Sequence, residues 1–156
     1  MVYMRDESPY GRKYLQDRIT SEFVLARHIG ITVERADDLG LVLSAPLAPN
    51  ANYKGTAFGG SLFSVAVLTG WAWLTRYLDA TQVGADAVIQ ESTIRYVAPV
   101  HGILRATLVP PTTAHIEKFR KMLQRAGRGR IRLIVNIRQG RTLATKFEGV
   151  FAATLR

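Results

Sequence analysis

The sequence predicts an α+β fold. A curved antiparallel sheet of about six strands wraps one long buried central helix, joined by an N-terminal helix and a short helix near 113–126. Three observations carry this. From Gly55 to Thr75 the chain holds no charge and is apolar on nearly every side. Alternating runs flank that stretch, two before it and four after. No internal repeat or linker divides the 156 residues, so 1–156 reads as a single domain with one core. Strands with one apolar face need a cover, and an all-round apolar helix supplies it.

Each element has its own signal. Leu15, Ile19 and Phe23 recur at four-residue spacing, which predicts a helix over 9–28, stopped by Gly30. Ile31-Thr-Val-Glu34 alternates and begins a strand. Asp37-Asp-Leu-Gly40 is a turn, and Leu41 to Pro46 is a second strand ended by Pro46 and Pro49. The central helix is expected over 57–78. That run is also long enough to cross a bilayer. However, Gly55, Gly59, Gly60 and Gly70, with several hydroxyl residues, lower its hydrophobicity, and a span there would divide the sheet between compartments. Val88 to Val97 is a strand with Ser92, Ile94 and Tyr96 on one face and Glu91, Thr93 and Arg95 on the other. Ile103 to Val109 follows, stopped by Pro110-Pro111. Thr113 is expected to cap a helix striped by Phe119, Met122 and Leu123 and ended by Gly127. Ile131 to Ile137 and Phe147 to Leu155 alternate about a Gln139-Gly140 turn.

Composition narrows the chemistry. There is no cysteine, which removes disulfides, thiolate metal sites and Cys nucleophiles. The N-terminal MVYMRDESPYGRKYL lacks the apolar segment of a signal peptide, so a cytoplasmic location is expected. The net charge of +9 suits anionic partners, or simply a solvated basic surface. His28, His101 and His115 are scattered without metal-ligand spacing and are read as structural; no metal site is expected.

Three motifs carry a resemblance: Ala45-Pro-Leu-Ala-Pro-Asn50, Gly55-Thr-Ala-Phe-Gly-Gly-Ser-Leu62 and Glu91-Ser-Thr-Ile-Arg-Tyr96. With them the chain resembles the hot-dog-fold thioesterases, most closely those of the YiiD C-terminal-domain type, from about Leu15 onward. The resemblance implies the hot-dog fold and a homodimer with strands pairing side by side, dimers pairing further as the next step. It implies two active sites at the subunit interface and an acyl thioester of coenzyme A or acyl carrier protein as substrate. It implies no cofactor beyond the coenzyme A or phosphopantetheine that belongs to that substrate.

Candidate site residues follow. Gly59 and Gly60 open the helix, whose free N–H groups can hold a thioester oxyanion; alternatively they only permit close packing. Asn52 can orient water or the carbonyl, or is simply a loop residue. Many relatives place His before the glycine pair and an acid on the helix; here Phe58 and Val67 stand at those places. Glu91 is the substitute base, against the alternatives of a solvent-facing side chain or a pair with Arg95. Ser64, one turn past Gly60, can position water or bond back to its own helix. Lys54, Phe58 and Ser61, in or beside the motif, are assigned to substrate contact. Trp71, Trp73, Phe58 and Phe63 are core by default, some of them able to line an acyl tunnel. Lys118, Arg120, Lys121, Arg125, Arg128, Arg130 and Arg132 form a basic tract against Glu117 alone. Of these, Arg125, Arg128 and Arg130 are assigned to the phosphates of coenzyme A or to an acidic carrier protein.

The expected activity is therefore acyl thioester hydrolysis. The rivals are a non-catalytic acyl-CoA-binding module, a dehydratase or hydratase on the same fold, and a nucleic-acid binder. The last rests on charge alone, with no recognised motif, and is disfavoured.

Overall fold

The structure, a computed structural model, describes residues 8–156; the part of the N-terminal reading that falls on 1–7 lies outside the described residues. The predicted N-terminal helix is two helices, α1 (Arg12–Glu22) and α2 (Val24–Ile29). The break is Phe23, extended at φ −120° and ψ 106°. Its ring meets Trp71 edge-to-face at 4.7 Å, so a tertiary contact overrides the helical period at this residue. Gly30, left-handed at φ 77°, ends α2.

β1 (Thr32–Asp37) and β2 (Gly40–Ala45) form a hairpin in which Asp37 Oδ1 accepts from the N–H groups of Leu39 and Gly40. After a short 3-10 turn, Ala48–Asn50, comes the central helix α3 (Gly59–Ala80). β3 (Ala85–Tyr96) returns antiparallel to it, followed by β4 (Leu104–Val109), α4 (Thr113–Ala126), β5 (Arg128–Gln139) and β6 (Thr142–Leu155). The cap of α4 is Thr112, not Thr113: the Thr112 hydroxyl accepts from the His115 N–H. The β5–β6 turn places Gly140, at φ 61°, and Arg141 between the paired Gln139 and Thr142.

The six strands make one antiparallel sheet in the order β1-β2-β4-β5-β6-β3. Ile131, Leu133, Val135 and Ile137 on β5, with Phe147 and Phe151 on β6, point inward onto α3. Gly70 lets the helix approach: a Cβ there would lie 2.4 Å from the Phe151 ring. Leu62, Val65, Ala66, Ala72, Leu74 and Leu78 of α3 are buried, each large side chain contributing about 1.5–3 kcal/mol. Among the described residues, no helix is long and apolar enough to cross a membrane.

β3 occupies one edge and, among the described residues, pairs only with β6. A bulge at Gln90 separates Ile89, opposite Phe151, from Glu91, opposite Val150. Before the bulge Ala85, Ala87 and Ile89 face α3; after it Ser92, Ile94 and Tyr96 do. Glu91, Thr93 and Arg95 therefore share the outer face with Val150, Glu148 and Lys146.

Candidate active site

The segment before α3 is held by two asparagines. Asn50 is 2% exposed, and its Nδ2 donates to the Ile29 carbonyl at 2.8 Å and the Pro46 carbonyl at 2.7 Å. Its own carbonyl accepts from the Phe58 N–H at 2.7 Å. One residue thus ties the end of α2 and the end of β2 to the start of α3. Asn52 closes the loop itself. Its Oδ1 accepts from Lys54 N at 2.9 Å and Thr56 N at 3.2 Å, and its Nδ2 donates to Thr56 Oγ1 at 2.9 Å. All of the side chain's bonds stay inside the loop, the asparagine-turn chemistry that loops favour. Tyr53 and Lys54 stand exposed at its tip, the Lys54 ammonium 5.6 Å from the Tyr53 ring centroid.

Phe58 precedes the helix in extended conformation, and no side chain caps α3. The Phe58 carbonyl takes the N–H groups of Ser61 and Leu62. The N–H groups of Gly59 and Gly60 have no intrahelical acceptor, and the positive end of the helix dipole is concentrated there. The two glycines have different neighbours. A Cβ on Gly60 would lie 2.4 Å from the Phe58 ring; one on Gly59 would lie 3.4 Å from the Tyr96 ring. The Tyr96 hydroxyl donates to the Gly59 carbonyl at 3.0 Å, fixing the first turn of α3 against the end of β3. A groove of about 300 Å³ opens here, lined by Ala57, Gly59, Leu62, Tyr96, Val97 and Ala98 and closed by Pro99 and Val100. Among the described residues, no Asp, Glu or His lines it.

The other candidates fall into place around this end of α3 or away from it. Phe58 is 58% exposed, a correction to its expected place in the core: its ring lies over Gly60, at the surface. Ser61 is buried. Ser64, half-buried, donates to the Gly60 carbonyl at 2.9 Å, which occupies its proton within the helix. Val67 is half-buried on the same helix. Phe63 packs edge-on to Phe147, Trp71 is buried, and Trp73 stacks on Tyr77. Glu91 is exposed on the outer face of β3, across the sheet from α3 of its own chain, and is not paired with Arg95 among the described residues. Arg125, Arg128 and Arg130 are exposed where α4 meets β5. That is the Ala85 end of β3, a helix length from Gly59. The three histidines are exposed and apart, and among the described residues no three His, Asp or Glu side chains gather as metal ligands.

The resolved titration shifts lie away from the groove. The Arg105 guanidinium holds Glu34 below the usual carboxylate range. Burial and the bond to Asp79 raise the Tyr14 phenol. Burial lowers Arg76, whose Nε donates to the Tyr10 carbonyl at 2.7 Å.

Asn50 and Tyr96 join the site without a local signal in the sequence. Both stand inside the motifs quoted above. Their roles depend on contacts with Ile29 and Gly59, 21 and 37 positions away, which no local pattern announces.

A long helix wrapped by a six-stranded antiparallel sheet, with the helix start opening through a glycine pair, defines the hot-dog thioesterase class. The family described as "Putative thioesterase (yiiD_Cterm)" matches residues 12–155, and the chain belongs to it. The structure is similar to a protein of unknown function from Chlorobaculum tepidum TLS, with a TM-score of 0.87 and 29% identity over 93% of this chain and 94% of that one. It is also similar to a protein described as a "putative thioesterase" from Shewanella oneidensis, with a TM-score of 0.82 and 28% identity over 93% and 97%. A Pseudomonas aeruginosa protein of unknown function shares the fold at 19% identity, with a TM-score of 0.78 over 92% and 96%.

Proposed function

We propose that this chain hydrolyses an acyl thioester borne by coenzyme A or an acyl carrier protein. The observation that carries the reading is the start of α3, which no side chain caps and whose first residue, Gly59, lines an open groove. In the reaction, water attacks the thioester carbonyl carbon and the carbonyl oxygen becomes an oxyanion. The C–S bond then breaks, and the thiolate leaves with a proton from the water. Two preorganised N–H groups at a helix N-terminus suit that oxyanion, and loss of one such donor elsewhere costs about 10²–10³ in rate. Asn52 keeps the entrance loop in shape, Tyr96 holds the first helical turn, and Ser64, bonded to the Gly60 carbonyl, braces the same turn from within the helix. Phe58 and Lys54 flank the entrance for the acyl arm and its carrier.

β3 has a free edge, and Phe58, Val88, Tyr96 and Val97 are exposed along or beside it. Such an edge invites a second copy pairing β3 to β3. Antiparallel pairing across a two-fold would bring the Ala85 end of one strand beside the Tyr96 end of the other. Arg125, Arg128 and Arg130 of one chain would then approach the groove of its partner, in reach of a carrier's phosphates. Glu91 lies on the outer face of that edge and activates water only if the second copy brings a groove to it.

Release of free thiol from a panel of short, long and aromatic acyl-CoAs tests the proposal, with wild type and Glu91→Ala side by side. Turnover by wild type is the expected result. Turnover retained in Glu91→Ala keeps the hydrolase and removes this base; turnover lost with the fold intact supports it. The lack of an acid among the described residues that line the groove favours one rival, an acyl-CoA-binding module without turnover. Saturable binding with no thiol release from any carrier would establish that rival instead.

A further inference from the structure

The cations of this protein differ in their partners. Arg18, Arg35, Arg105, Arg132 and Arg156 each pair with a carboxylate. Lys118, Arg120, Lys121, Arg125, Arg128 and Arg130 do not, among the described residues, and all are exposed. These six cations are gathered on one helix and the strand that follows it. A groove of about 420 Å³ runs along α4, with Lys118, Lys121 and Arg125 beside Ala114, Met122 and Ala126 and a single acid, Glu117. A second, of about 400 Å³, continues from Met122 and Ala126 onto β5 at Arg128 and Arg130.

Two features of this surface select its partner. The first is extent. α4 has 14 residues, about 21 Å of helix, and its cations recur at three- and four-residue spacing along it before β5 adds two more. A nucleotide's phosphates would engage only one end of such a row. The second is the apolar strip between the cations: Met122, half-buried, and the alanines on either side have nothing to offer a sugar-phosphate backbone, but they suit the apolar ridge of another helix.

The position is also informative. Arg128 pairs with Thr154, which pairs with Asp86; Arg130 pairs with Ala152, which pairs with Val88. The basic row therefore begins two strands, roughly 10 Å, from the free edge of β3. It lies at the end of that edge where antiparallel β3 pairing would set the partner's Gly59.

We infer that the α4–β5 groove docks an acidic, helical face of a protein that carries the acyl group, so that the thioester reaches the partner's groove on a carrier protein rather than on free coenzyme A. This rests on the thioesterase reading above and names its substrate.

The test uses acyl carrier protein loaded with one acyl group, against the same acyl group on coenzyme A and on pantetheine. The variant is Lys118→Glu with Lys121→Glu; both are exposed and make no ion pair, and circular dichroism checks the fold. Charge reversal is expected to lower kcat/KM on the loaded carrier protein by about tenfold or more, and to steepen no salt dependence on the two small thioesters. Equal losses on coenzyme A would assign the cations to nucleotide phosphates and overturn the inference. Unchanged rates on all three would reduce the tract to a solvated face and also overturn it. Direct titration of fluorescently labelled acyl carrier protein separates docking from hydrolysis. Saturable, charge-dependent binding with no hydrolysis of any thioester would sink the hydrolase and leave the docking surface standing. No binding, or tighter binding of a labelled oligonucleotide, would sink the docking surface whatever the hydrolysis rates.

Discussion

Asn50 and Asn52 stand two positions apart and do different work. Asn50 is enclosed, and its amide satisfies two carbonyls from separate elements; Asn52 is half-buried and bonds only within its own loop. Replacing Asn50 by Ala leaves the Ile29 and Pro46 carbonyls without that donor, at a cost of about 1–3 kcal/mol for each one that water does not reach. Replacing Asn52 by Ala removes turn bonds near solvent, a cost nearer about 1 kcal/mol. Urea denaturation is expected to rank Asn50→Ala well below Asn52→Ala in stability. Equal midpoints would show that the three-way tie at Asn50 contributes nothing special. Glycine differs from residue to residue in the same way. Gly60 gives room to an exposed ring that can swing aside, whereas Gly70 gives room to Phe151, which is fully buried and cannot.

That contrast becomes an element-scale prediction. α3 lies against the sheet at the separation Gly70 allows, so Gly70→Ala forces the Phe151 ring or the helix to move. Overpacking of this kind costs about 1–3 kcal/mol, against roughly 1 kcal/mol gained from alanine's helix propensity. A net loss of thermal stability is expected by calorimetry, and a gain would mean that the helix is not seated as described. The long helix and the strands on either side of it were legible because their periods are long and unbroken. β5 shows this best, with every second residue from Gly129 to Ile137 buried and those between them exposed or half-buried. What was not legible came from contacts between elements. Phe23 fits the period of the first helix yet leaves it for Trp71. The two faces of β3 after residue 91 could be read from alternation, but not which face meets α3, because the bulge at Gln90 inverts the count. The glycine-pair motif at the start of α3 was visible in the sequence. The clamp that Tyr96 places on it was not, since it depends on β3 returning the full length of α3.

At the scale of the whole molecule, the free edge of β3 and the apolar side chains beside it set the expected assembly. Sedimentation equilibrium is expected to give twice the 17.3 kDa of one chain, at the concentrations used to measure thiol release. A monomer that still hydrolyses thioesters would confine the site to a single groove and leave the far-end arginines without a part in it. The strand order also governs how the chain can acquire its shape. β3 is made in the middle of synthesis, but among the described residues its one strand neighbour is β6, the last of the six, so local pairing alone cannot complete the sheet. Until residues 142–155 emerge, α3 has an incomplete cover and β3 has no strand to join. Folding that must wait for such distant partners is slow, and it exposes apolar surface meanwhile. A nascent chain stalled before β6 would be a client for chaperones, and the C-terminal strand is the latch on which the rest of the sheet depends.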